Sequence, residues 1–128
     1  MDTDREAVNS LPNAPNVIFM AGQKFGTSEA PELTRVMNTL VPAIVAEKFS
    51  KSRIVVFSTG CVYSLVPASS KGACEESPLE PPGEYANSCV GRERMFTHFA
   101  NRNGTRALLF RLCEFDFFKI LTIDTRLP

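Results

Sequence analysis

Apolar residues follow two rhythms along this chain. Val17-Ile18-Phe19-Met20 and Ile54-Val55-Val56-Phe57 are short continuous runs, and Arg106 to Leu112 carries a third. Runs of this length, rich in β-branched and aromatic residues, are the pattern of buried strands in a parallel sheet with helices on both faces. Between them the period changes. Leu33, Val36, Met37, Leu40, Val41, Ile44 and Val45 recur at helical spacing after Pro31, which suits a first helical turn where a missing N–H is harmless. A second helix is expected over residues 84–101. Its positions 85, 89, 92 and 96 share one face, and Asn103-Gly104 supplies the stop. A short helix over residues 2–11 is predicted from Ala7, Val8 and Leu11, closed by Pro12 and Pro15. Three strands alternating with two long helices give a β-α-β-α-β core. The expected class is α/β, a partial doubly wound parallel sheet in three α/β/α layers.

Breaks in the pattern add detail. Pro42 lies inside the first long helix, where it removes the hydrogen bond to the Asn38 carbonyl and predicts a kink. Gly91 lies inside the second, where a glycine costs about 1 kcal/mol relative to alanine, and close approach of another helix is the expected compensation. Residues 65–82, with five prolines or glycines and several acidic and hydroxyl side chains, read as surface loop. After Leu112 no clean period continues. The tail 113–128 reads either as a sheet-edge strand around Ile120 or as the product of a truncated or altered reading frame.

The chain has 128 residues, enough for one core but short for an enzyme with separate dinucleotide and substrate domains. Its net charge is zero and its basic residues are scattered, so nothing marks a nucleic-acid partner. No stretch is long and apolar enough for a membrane span, and the N-terminus has no apolar signal core; a cytoplasmic protein is the default expectation. The four cysteines form no Cys-x-x-Cys pair, and the single histidine, His98, lies among polar residues. No metal site is expected.

The candidate chemistry lies where the second strand ends. Open parallel sheets bind ligands at the carboxyl ends of their strands, and Ser58 and Thr59 stand there, followed by Tyr63 and, after an acidic Pro-rich loop, by Tyr85 at the start of a helix. This order, over Asn16 to Leu112, resembles the NAD-dependent epimerase/dehydratases, the extended short-chain dehydrogenases. The resemblance implies a Rossmann-like domain over residues 1–112, corresponding to the C-terminal half of that fold. It implies a cofactor, NAD or NADP, and a nucleotide-sugar-like substrate. It also implies a homodimer through the helices 31–50 and 84–101. In catalysis Thr59, with Ser58 beside it, would orient the substrate oxygen and Tyr85 would transfer a proton. Ala21 and Gly22 would let the cofactor ring approach the first strand.

Two departures bear on activity. The family's lysine, four residues after the tyrosine, is Cys89 here, at a cofactor-binding position, and no glycine precedes Gly22. A phenol ionises near pH 10 unless a cation stabilises the phenolate, so the missing charge must come from elsewhere. Lys24, close to the end of the first strand, is the favoured catalytic candidate over Arg92, which lies roughly 10 Å along the helix from Tyr85; the alternative for Lys24 is exposed loop charge. Two functions remain open: a fragment or degenerate member of the family, inactive by itself, or a non-catalytic Rossmann-like binding or interaction module.

Overall fold

The computed structural model describes residues 2–113; the expected tail, beyond Cys113, lies outside them. The element order is α1 (Asp2–Ser10), β1 (Asn16–Phe19), α2 (Pro31–Arg35), a π-helical turn (Val36–Leu40), α3 (Val41–Lys48), β2 (Arg53–Thr59), a 3₁₀ turn (Gly60–Val62), α4 (Glu84–Asn103) and β3 (Arg106–Leu112). The three strands form one parallel sheet in the order β1-β2-β3, with Ile54 between Val17 and Ala107. The predicted α/β class and β-α-β-α-β order are therefore present.

Alternation along the strands decides which side chains reach the core. Phe19, Ile54 and Val56 point to the helices and pack with Val45 and Ala46 of α3, with Phe49 just after it, and with Phe96 of α4. The Phe19 and Phe96 rings meet with centroids 5.1 Å apart; truncating either to alanine would cost about 3–5 kcal/mol. The intervening residues face the other way. Ile18 is 66% exposed, Leu108 59% and Phe110 48%. The described residues thus form two layers, helices over one sheet face, where three were expected. A continuous apolar run specifies two apolar faces, but it does not specify what covers each.

Pro42 is accommodated without breaking the helical path. The turn before it widens, so that the Val41 N–H reaches back five residues to the Val36 carbonyl, and α3 restarts with Pro42 in its first turn. Here a missing N–H costs little. The expected kink is therefore a π-turn. Gly91 has the close neighbour foreseen: a Cβ there would meet the Thr39 Oγ1 of the π-turn at 2.6 Å. Gly104 caps α4 in the left-handed region at φ 68°, where glycine carries no Cβ penalty.

Candidate active site

The end of β2 brings Thr59 to the same end of the molecule as Tyr85. Thr59 Oγ1 accepts the Cys61 N–H at 3.2 Å and so caps the 3₁₀ turn, leaving its own hydroxyl hydrogen available. That turn packs through Val62 onto Cys89 and Val90 of α4, with Tyr63 and Tyr85 at the edge of the cluster. Tyr85 and Cys89 are neighbours one turn apart, as their spacing requires. Burial, then the adjacent Cys89 thiol, push the Tyr85 phenol up to about 12, against the opposing charge of Arg92. Burial also raises the Cys89 thiol, and Arg92 again opposes. Near neutrality both groups are protonated, so Tyr85 is a hydrogen-bond donor.

Ser58, adjacent in sequence, has a different setting. It alternates to the helix side, is buried, and donates to Glu93 Oε1 at 2.5 Å. Glu93 also receives Arg111 from β3, through Nε at 3.0 Å and Nη2 at 2.8 Å. Arg111 Nη1 donates to the Tyr63 hydroxyl at 2.7 Å and to the Glu75 carbonyl at 3.2 Å. Its hydrogen bonds to Glu93 hold the guanidinium even more firmly protonated than usual. Ser58, Glu93 and Arg111 form a clamp tying β2, α4 and β3 together.

A second polar junction links β1 to β2. The Asn38 side chain, fully buried in the π-turn, makes four hydrogen bonds. Its Oδ1 accepts from the Gln23 N–H at 2.8 Å and from Arg92 Nη2 at 2.9 Å. Its Nδ2 donates to the Gln23 carbonyl at 2.8 Å and to Ser88 Oγ at 2.9 Å. Ser88 in turn donates to the Tyr85 carbonyl at 2.6 Å. Arg92 Nη1 donates to the Phe57 carbonyl of β2 at 3.1 Å, and its guanidinium carbon lies 5.8 Å from the Phe19 ring centroid. Ala21 and Gly22 are exposed on their outer side, but a Cβ on Gly22 would collide with Arg92 Nη2 and lie 2.9 Å from Asn38 Oδ1. The close approach that requires glycine here is thus made by the protein's own side chains.

Lys24 is exposed, its ammonium 5.9 Å from the Phe25 ring centroid. The cation whose charge reaches Tyr85 and Cys89 is Arg92. A distance along a helix axis ignores how far a long side chain such as that of Arg92 reaches. The role of Asn38, the Ser88 link and the Glu93–Arg111 pair were also missed. One signal was available for Arg92: a charged residue on the helix face that carries Cys89 and Phe96 has to be buried.

The departure at position 89 is visible in the structure. The family's cofactor would need a cation one turn after Tyr85 and a bare backbone at Gly22. Cys89 is a buried neutral thiol, whereas Gly22 keeps an exposed outer face. Of these two requirements, the cation one turn after Tyr85 is the one missing among the described residues.

The fold is shared with solved structures. RMD from Pseudomonas aeruginosa complexed with NADPH superposes with a TM-score of 0.79 at 24% identity, over 86% of this chain and 40% of that one. The dTDP-glucose 4,6-dehydratase DesIV from Streptomyces venezuelae, in a double mutant with NAD and DAU bound, gives 0.76 at 19%, over 84% and 34%. UDP-glucose 4-epimerase from Thermus thermophilus in complex with NAD gives 0.73 at 23%, over 86% and 37%. The chain thus spans about two fifths of the length of these proteins at most. Among curated proteins none matches. No helix of the described residues is long and apolar enough to cross a membrane. The profile of the NAD dependent epimerase/dehydratase family matches residues 3–115, nearly the whole described chain, and the protein belongs to that family.

Proposed function

We propose that this chain is the substrate-oxygen end of an NAD(P)-dependent enzyme fold acting on nucleotide sugars, and that by itself it binds without carrying out hydride transfer. Thr59 and Tyr85 are two hydroxyl donors at one strand end, and a hydroxyl or carbonyl oxygen of a nucleotide-sugar-like substrate would accept from both. The observation that carries the reading is that Tyr85 sits one turn from a buried thiol where the family has lysine, so its phenol stays protonated. Such a phenol can hold and polarise an oxygen, but it is a poor general base near neutrality. Ser58 serves the Glu93–Arg111 clamp. The cofactor, NAD or NADP, belongs to the activity of a complete fold. A homodimer through the helices 31–50 and 84–101 fits the apolar groove between Val36, Leu40, Ala43 and Met95.

Calorimetry with NAD and NADP tests the first half of this reading: no binding tighter than about millimolar is expected, equivalent to about 4 kcal/mol. Titration with UDP-glucose, followed by NMR, tests the second. Tyr85→Phe and Thr59→Val should each weaken binding about fivefold, the loss of one neutral hydrogen bond of about 1 kcal/mol. Submicromolar NAD affinity, or UDP-glucose binding unchanged in both variants, would overturn the proposal.

A further inference from the structure

Position 92 carries a charge that the fold has placed at some cost. Its residue is only 7% exposed, and among the described residues no carboxylate pairs with it and its buried Nε has no hydrogen-bond partner. A buried, unpaired guanidinium is expensive. What holds it is neutral: the Phe57 carbonyl, Asn38 Oδ1 and the face of Phe19. These contacts fix the group without cancelling its charge. They also anchor it to the ends of β1 and β2, on the helix face that presents Cys89 and Tyr85.

We propose that Arg92 is a positioning residue that supplies the Tyr85–Cys89 pair with the fixed positive charge that position 89 lacks. Asn38 is the part of the device that makes this possible, because an acidic residue there would orient the guanidinium equally well and neutralise it. The charge opposes the effect of burial on the phenol without reversing it. The direction agrees with both groups: Arg92 lowers Tyr85 and Cys89, whereas burial raises them. The remaining groups facing Tyr85 are Cys89 on its own helix and Cys61 on the 3₁₀ turn, both thiols. The inference rests on Tyr85 being the donor of the oxygen site.

The chain has two tyrosines, so a Tyr63→Phe background leaves Tyr85 as the sole phenol. Replacing it biosynthetically with a fluorinated tyrosine brings its ionisation into a milder pH range, where absorbance reads the midpoint directly. With Arg92→Met the midpoint should rise, because the charge that opposes burial is removed while the burial remains. Arg92→Lys should largely preserve it. If Arg92→Met fails to fold, Arg92→Gln provides the same reading, because its amide keeps a donor toward Asn38 and the Phe57 carbonyl without the charge. An unchanged midpoint in either folded variant overturns the proposal. The titration contains no ligand, so its failure is separable from failure of the oxygen-binding reading.

Discussion

The two polar junctions at the strand ends use the same residue type in opposite ways. Between β2 and β3, Arg111 meets a buried carboxylate, and the Glu93 pair is closed further by Ser58 and Tyr63. Between β1 and β2, Arg92 meets only neutral acceptors. Geometry is specified in both, but only the second keeps a net charge. Neutralised junctions fix a strand end, while an uncompensated one projects a field into the site. The separation also explains why adjacent hydroxyls differ: Ser58 alternates toward the neutralised junction, and Thr59 turns away from it.

The largest expected effect comes from opening the neutralised junction. Glu93→Ala would leave Arg111 without its carboxylate and Ser58 without an acceptor. Removing one partner of a buried pair costs about 3–5 kcal/mol, measurable as a lower urea midpoint. The Glu93→Leu/Arg111→Leu double variant should recover most of that loss, because neither charge is left buried alone. A double variant as unstable as the single one would mean that packing rather than charge governs this junction.

Asn38→Leu should cost less, about 2–3 kcal/mol, because it orphans neutral groups of Gln23 and Ser88 and one donor of Arg92. Its diagnostic feature is location. Hydrogen exchange should accelerate at Gln23 and around the Tyr85 turn while β3 stays protected. Uniform loss of protection would remove the distinction between the two junctions.

The smallest effect is on pH dependence. The folded Tyr85 phenol ionises at about 12, above its ordinary value near 10. Its contribution to stability is therefore complete below about pH 10 and is lost as pH rises toward 12, since the unfolded chain gives up that proton first. Tyr85→Phe should flatten the alkaline decline in this window, read from urea melts at successive pH values. Tyr63→Phe should not remove the same component.

Much of the architecture was legible in the order of residues. Hydrophobic runs located the three strands to within a residue or two, and helical spacing placed Tyr85 against Cys89. Gly91 announced a close contact that Thr39 supplies, and Gly104 a left-handed cap. Local geometry suffices for these, because backbone period and glycine conformation are properties of neighbouring residues. Pro42 shows the limit. Its sequence position required some disturbance of the helix; the structure makes it a π-turn whose Asn38 meets Gln23 and Arg92, partners distant in the chain.

What the sequence determined by itself was the strand-and-helix order and the placing of Tyr85 one turn from Cys89 on a following helix. Tertiary structure alone decided which charge reaches that tyrosine. Asn38 and Arg92 are 54 residues apart, Gly22 lies farther still from Arg92, and no local period links them. Their meeting follows from packing the π-turn, α4 and the ends of β1 and β2 together. Coulomb energy depends on distance through space and on burial, and neither is written in distance along the chain.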